Sequence, residues 1–595
     1  MRPVLFGRPV VMGGLLLSGL FSFHSALAAP AGAEPPASGF GNMPLPAGPG
    51  SAQDQFQRYQ QRQQDLNMLP PPDNSTQILN EPKESTSSTH CVEVRSISIE
   101  GADHLSPGDR HTIIQRYAGR CLTTGDLNHA LDDVNGSYLA QGNVTSRAYL
   151  PEQSLASGHL RIVVIEGKIA GFLFEGIEPR LHEVAAFPGM RDHILNLRDL
   201  EQGLDQMNRL PSWSARMKIA PGKNPGETQV RILQPAPGVF HGQIWADNNG
   251  QPETGRETGH VLLRADDALG LLDMWSVEYD HSLVGDAGHR NTQYISANGS
   301  IPFGKWTVFG GWWMSSDVYH LQSLGEDYRF AGKRKDFRFG VSREVLRNQI
   351  GVTTLQAFYE LKSFSSTLDR TRLETQSARQ GSVVAQASES LKAWGGIWYI
   401  TLGMRFGVRG VGTHSYFTDP GEADPHTQYV KPTLDIDGYK PLPFSLLWHT
   451  SIHGEYSTEN QFTSQQLQLG GPYTVRGFLS QMLVGNDGLY MRNDLSWPLT
   501  GAGMSDHCGA YRGFCRLFIE STEVYGILDV GMTRLGYRSN TLPPALKGGN
   551  IAGAGIGFRK TRGSIFWMAN ITHSVARGPL PQEGWIAGFQ AGVRF

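Results

Sequence analysis

The chain has 595 residues and a formal net charge of −3, with Lys, Arg, Asp and Glu interspersed along it. That length exceeds one ordinary domain, and the near-balanced charge argues against nucleic acid as a partner. Mean hydropathy is slightly negative, and beyond the first thirty residues no apolar run reaches the roughly 18–20 residues a membrane helix needs. A chain with 71 glycines and 10% aromatics can still cross a bilayer as strands, because only alternate residues of a strand touch lipid.

Arg2 and Arg8 precede an apolar stretch from Val10 to Phe23, and Ala26-Leu27-Ala28 follows. This is the pattern of a cleaved secretory signal over residues 1–28. Residues 29–50 are rich in Pro, Gly and Ala, as an extended linker requires. Gln53–Leu66 then lacks Pro and Gly and is dominated by Gln, Arg and Asp, a mixture that tolerates helix. It is polar nearly all round, so it is no ordinary core helix. Two readings fit: nascent helix in a disordered tail, or a polar helix inside a water-filled pore. Pro70-Pro71-Pro72 stops it, and a Ser/Thr-rich linker runs to His90.

Two small α/β units are expected next, over 91–167 and 168–235. In the first, Val92–Glu100 alternates like a strand, a helix surrounds Asp126–Leu139, and Leu160–Glu166 is an apolar strand. The second comprises a strand at Ala170–Phe174, helices near Leu181–Leu197 and Leu200–Leu210, and strands at Ala215–Ala220 and Glu227–Leu233. Such units are near the lower size limit of a stable domain, where a disulfide helps. Export permits disulfides, and the four cysteines form two sequence-local pairs, Cys91 with Cys121 and Cys508 with Cys515. Local pairing is the simplest of three connectivities. Closing the larger loop adds about 3 kcal/mol in the chain-entropy model.

From about Val239 the period becomes two and stays so to Phe595. Trp394–Val408 carries Trp398, Ile400, Leu402, Met404 and Phe406 on one face, with Thr401, Gly403 and Arg405 on the other. Phe444–Tyr456 sets Leu446, Trp448 and Ile452 against His449, Ser451 and His453. In Trp585–Phe595, Trp585, Phe589, Val593 and Phe595 oppose Gln590 and Arg594. A strand half-buried in a soluble sandwich has the same period. Repetition over the whole C-terminal part, with aromatics near strand ends and Gly-rich connections, points to an all-β transmembrane barrel over 236–595. At about 9–11 residues per crossing, about sixteen antiparallel strands fit.

Gly470-Gly471-Pro472-Tyr473-Thr474-Val475-Arg476-Gly477-Phe478 resembles the VRGF loop of the TpsB outer-membrane transporters of two-partner secretion, the haemolysin secretion/activation family. Gly485-Asn486-Asp487-Gly488-Leu489-Tyr490-Met491-Arg492-Asn493-Asp494-Leu495 is similar to the family's next strand motif. Asp199–Leu210 and Pro221–Thr228 resemble its second periplasmic POTRA domain. Arg147–Gln153 and the Cys91/Cys121 pair resemble the first. Two departures stand out: Asn486 where Asp is common, and Ile527 where the family's F-x-D-x-G pattern has an aromatic.

The resemblance implies a sixteen-stranded barrel, two POTRA domains, an N-terminal plug helix at about 53–66 and a loop around 460–487 folded into the lumen. It further implies that Val475, Arg476, Gly477 and Phe478 form the loop tip, meeting Asp529 and Gly531 on the wall. Gly488, Tyr490, Arg492 and Asp494 would carry the strand motif. Arg147, Tyr149, Leu150, Pro151, Asn208 and Arg209 would belong to the substrate-recruiting region. Strand phase is compatible with this: if Leu528 and Val530 face lipid, then Tyr525, Ile527, Asp529 and Gly531 face inward.

The implied function is export of an unfolded partner exoprotein to the cell surface without nucleotide hydrolysis. The POTRA domains would stand in the periplasm, and the other partners would be outer-membrane lipid and, during biogenesis, the barrel-assembly machinery. The alternatives are a barrel-assembly insertase and a gated porin. Only about 145 residues lie between Cys91 and the barrel, enough for two POTRA domains rather than a long array. No enzyme, cofactor or metal site is expected. Gly553–Gly557 sits in a strand rather than opening a helix, His182-Glu183 lacks a second histidine, and His449 and His453 are too far apart along one strand to grip one ion easily.

Overall fold

A computed structural model describes residues 51–71, 91–177, 181–235, 238–283, 288–323, 326–410, 412–417, 419–421, 424–499, 509, 511, 515–535 and 548–595. The expected signal segment and Cys508 lie outside these residues. Helix α1 spans Ser51–Asn67.

The first α/β unit is built from β1 (Cys91–Val94), β2 (Ser96–Glu100), α2 (Pro107–Tyr117), β3 (Arg120–Thr123), α3 (Thr124–Ala140), β4 (Arg147–Tyr149) and β5 (His159–Ile165). β5 pairs in parallel with β2 and antiparallel with β4, while β1 pairs with β3. The stretch read as one strand is thus two. Arg95 breaks it, its N–H turning to the Gly158 carbonyl. Helix α2 was not among the expected elements, although Ser106-Pro107 marks it. The Ser106 hydroxyl accepts from the Asp109 N–H, and proline occupies the first helical turn, where its missing N–H costs nothing. Helix α3 starts on a capping box in which the Thr123 hydroxyl and the Asp126 carboxylate each accept the other's backbone N–H. The disulfide Cys91–Cys121 ties β1 to β3 with Cα atoms 5.4 Å apart.

The second unit contains β6 (Lys168–Glu175), α4 (His182–Ala186), α5 (Leu197–Asn208), β7 (Arg216–Pro221) and β8 (Glu227–Leu233), in sheet order β6-β8-β7. The helix expected to run to Leu197 stops at Ala186. Pro188 disfavours helical backbone at Phe187, and Gly189 and Asp192 take positive φ.

Sixteen long strands follow: β9 (Phe240–Asp247), β10 (Thr258–Asp266), β11 (Met274–Ser282), β12 (Asn291–Phe303), β13 (Trp306–Ser323), β14 (Glu326–Arg347), β15 (Gly351–Leu368), β16 (Ala378–Ala393), β17 (Gly396–Val408), β18 (Val430–Pro441), β19 (Leu447–Glu455), β20 (Asp487–Pro498), β21 (Thr522–Arg534), β22 (Gly548–Lys560), β23 (Ile565–Ala576) and β24 (Ile586–Arg594). Each pairs antiparallel with the next, and β24 pairs with β9 to close the cylinder. β14 has 22 residues. At about 3.3 Å per residue it is about 70 Å long, more than a tilted crossing requires, so the wall extends beyond the bilayer. β17 and β19 begin later than the alternation suggested. Trp394 and Gly395, and Phe444 and Ser445, take positive φ and make the preceding turns.

The phase of the wall follows the alternation. Leu402, Met404, Phe406, Leu528, Val530, Phe589 and Val593 are exposed on the outside, whereas Tyr525, Ile527 and Asp529 are buried inside. So much exposed apolar surface would be a liability in water and is what a lipid-facing band requires. No described helix is long and apolar enough to cross a membrane.

The second α/β unit is bolted to one end of the cylinder. Gln202 and Gln206 donate to the Gly304 carbonyl in the β12–β13 turn, and Gly304 N–H donates to the Ala185 carbonyl. Arg347 at the end of β14 bridges Asp205 at 2.6 Å and Glu344 at 2.8 Å. Buried His182 meets Asp267 at 2.8 Å. Connections after even-numbered strands therefore return to this end. The connection after β20 carries Cys515, which is disulfide-bonded.

Candidate functional site

Between β19 and β20 the chain folds into the cylinder. Leu467–Leu469 pairs with Leu483–Gly485, and Leu467, Leu469, Val475, Phe478 and Leu483 pack into one buried cluster with Tyr490 and Ile551 of the wall. This apolar anchor presents Arg476 to the wall. Its Nε donates to Asp529 Oδ2 at 2.6 Å and a terminal nitrogen to Oδ1 at 2.8 Å, a bidentate pair, while the Arg476 backbone N–H adds a third bond at 3.0 Å. The same guanidinium reaches Asp494 of β20 at 2.7 Å, and Asp494 in turn holds Arg559 of β22 at 2.8 Å. Ladder pairing between β20 and β21 passes from Met491–Val530 to Asp494–Ile527, and in the gap the Asn493 N–H donates to Asp529 Oδ1. Asp529 is fully buried, and only paired charges persist there.

Glycines allow this approach. A Cβ on Gly553 would collide with the Arg476 carbonyl oxygen. One on Gly477, whose φ is 99°, would lie 2.7 Å from the His573 carbonyl, and one on Gly531 would lie 2.9 Å from Val475. Gly477 can adopt that backbone because it has no Cβ. Tyr490 faces Arg62 of α1, the guanidinium carbon lying 5.3 Å from the ring centroid, and Arg492 donates to the Tyr473 carbonyl. A Cβ on Gly488 would lie 2.5 Å from the Met532 carbonyl. Asn486 uses both ends of its amide, accepting from the Gln461 N–H and donating to the Leu535 carbonyl. An aspartate could not make the second bond.

Helix α1 is ringed by the wall and this loop. Gln55 donates to the Gly470 carbonyl, Arg58 to the Ser464 carbonyl and Gln60 to Glu278 on β11; Asp65 pairs with Arg338 on β14 at 2.6 Å. Contacts on every side explain a helix that is polar nearly all round, with Phe56 packed against Tyr294 and Trp313. The remaining space beside it includes cavities of about 480 and 360 Å³.

The residues expected to recruit substrate separate. Arg147 and exposed Tyr149 lie on β4, an edge strand, with Leu150 and Pro151 just after. Asn208 instead closes its own unit through the Ala215 backbone, and Arg209 donates to Ser300 and to the Leu272 carbonyl of the barrel. Arg209 thus holds the junction with the barrel, and Asn208 its own unit. Sequence reasoning missed Glu583, whose carboxylate accepts the N–H groups of Leu479, Ser480 and Gln481 beyond the loop tip. It also missed Arg559, and it read Gly553 as a small strand residue without its contact to the loop tip. Their partners lie far away in sequence, so local pattern carried no signal for them.

A family model described as haemolysin secretion/activation protein ShlB/FhaC/HecB matches residues 226–560, and POTRA-domain models match 92–167 and 168–221. The chain is 32% identical to the outer membrane transporter CdiB of Dickeya dadantii over 68% of this chain and 72% of that one. It is 25% identical to the haemolysin transporter ShlB of Serratia marcescens over 69% and 72%. The solved structure of CdiB from Escherichia coli superposes with a TM-score of 0.79 at 26% identity, covering 91% of this chain and 98% of that one. The chain belongs to the haemolysin secretion/activation family ShlB/FhaC/HecB, and is an outer-membrane transporter of two-partner secretion with its POTRA domains in the periplasm.

Proposed function

We propose that the POTRA pair captures an unfolded exoprotein, that α1 is a removable plug, and that the Arg476–Asp529 pair locks the inward loop as the wall of the conduit. The observation that carries this reading is the bidentate, buried contact between the loop tip and β21. Breaking a buried pair by removing one partner costs about 3–5 kcal/mol, enough to displace a loop but not a sixteen-strand ladder. Capture would use the free edge at β4, where Arg147 and Tyr149 flank a backbone that can accept an added strand. Exit of α1 would merge the cavities beside it into a path for an extended chain, and folding of the passenger outside would drive transport. The lipid-facing band contacts outer-membrane lipid, and the barrel-assembly machinery inserts it.

The test is Arg476→Ala in cells expressing the exoprotein encoded beside the transporter gene. Heat-modifiable migration should show an assembled barrel, while surface and medium exoprotein falls at least tenfold. Wild-type secretion from a folded Arg476→Ala barrel would remove the lock.

A further inference from the structure

A second polar cluster lies in the wall beside α1, where Phe56 touches both His260 and Tyr473 of the inward loop. Strand pairing sets His260 of β10 directly across from Asp280 of β11, with Glu278 two residues earlier on the same face. Asp247 of β9 stands diagonally on the other side, pairing in register with Thr258. One His260 nitrogen, Nδ1, is 2.8 Å from Asp280 Oδ1, and the other, Nε2, is 3.3 Å from Asp247 Oδ2. One ligand atom from each of His260, Glu278 and Asp280 lies within 4.8 Å of the others. None of the four residues is more than 6% exposed.

Charge and hydrogen bonding leave this cluster incomplete. Three carboxylates face one imidazole, and among the described residues no lysine or arginine forms an ion pair with any of them. Gln60 of α1 supplies a single amide bond to Glu278 at 3.2 Å. Despite the short separations, both oxygens of Asp280 and both nitrogens of His260 lack a hydrogen-bond partner of acceptable geometry. Tyr294, across from Asp280 on β12, is equally buried, and its hydroxyl is also without a partner. Buried charges are neutralised by pairing or by a metal, and unsatisfied buried groups call for an explanation.

We infer that His260, Glu278 and Asp280 bind a divalent cation of the zinc class. Imidazole nitrogen with carboxylate oxygen is the donor set that class accepts. Asp247, 3.3 Å from Nε2, is placed to take the Nε2–H once the ion holds Nδ1, the usual arrangement behind a metal-bound histidine. It is a positioning residue. The fourth position falls to water or the Tyr294 hydroxyl. Because Gln60 and Phe56 of α1 rest on Glu278 and His260, the ion braces the wall where the helix sits.

The test uses tag-free, full-length protein in detergent, stripped with chelator and dialysed against Zn²⁺. Metal analysis should find one tightly held Zn²⁺ per chain. His260→Ala and Asp280→Asn should each weaken binding at least tenfold, and Asp247→Asn should do so less, all in barrels shown to be folded by heat-modifiability. X-ray absorption on the wild type should report one nitrogen-type ligand among oxygens at about 2.0–2.2 Å. Failure to retain Zn²⁺, equal retention by folded His260→Ala, or a shell without imidazole would overturn the site.

Discussion

Asp529 shows how much one carboxylate can organise. Its two oxygens accept from the Arg476 side chain, the Arg476 backbone and the Asn493 N–H, so the loop tip and two strands meet on it. Glu166 plays a comparable part outside the membrane. Burial would push its carboxyl up, but the His104 N–H, the Tyr138 hydroxyl and the His104 ring bond to it and hold it below the usual carboxylate range. A depressed folded value means that this contribution is complete above the unfolded value of about 4.3 and is lost as pH falls through the lower folded value. Hydrogen exchange in β5 and α3, corrected for intrinsic rates, should therefore accelerate in the full-length protein as pH drops below about 4.3. Glu166→Gln should raise exchange at neutral pH, at a cost of about 1–2 kcal/mol, and flatten that acid response. An unchanged acid limb in the variant would assign it to other groups.

At the scale of elements, α1 and the inward loop are held inside the cylinder by different means. The loop is anchored by apolar burial in Leu467, Leu469, Val475 and Phe478, whereas α1 is held by polar contacts such as Asp65–Arg338 and Gln55–Gly470. Polar contacts can be exchanged for water at little net cost, whereas apolar anchors cannot, so α1, whose one buried apolar side chain among the described residues is Phe56, is the element we propose to leave. Deleting residues 51–67 should raise single-channel conductance in planar bilayers several-fold without preventing barrel assembly. Equal conductance would mean that the loop alone sets the aperture. Legibility at this scale was uneven. The strands of the barrel were visible because alternation is enforced by lipid on one side and water on the other. Helix α2 was passed over and the helix at His182 overextended, since capping and a Pro-Gly break decided them rather than periodicity.

Across the whole molecule, the second POTRA domain and the cylinder act as one body through Arg347, His182 and the Gly304 turn. Arg347 is buried between Asp205 and Glu344, so removing it leaves two adjacent carboxylates without their cation. Arg347→Ala should broaden spin-label distances between the second POTRA domain and the β14–β15 turn and lower secretion, with the barrel still heat-modifiable. A distance distribution identical to wild type would show that the glutamine and histidine contacts suffice.

By itself the sequence determined the class of the protein. Period-two alternation repeated over the whole C-terminal part pointed to a cylinder with a greasy outside, and it set Leu528 and Val530 on the face opposite Asp529. Local motif order pointed to two-partner secretion. The family resemblance already implied that the Arg476 loop tip meets Asp529, but only the tertiary structure decided what Arg209, Gly553 and His260 touch. Contacts among residues tens to hundreds of positions apart depend on strand register and barrel closure, and register is a property of the assembled sheet, not of any segment within it.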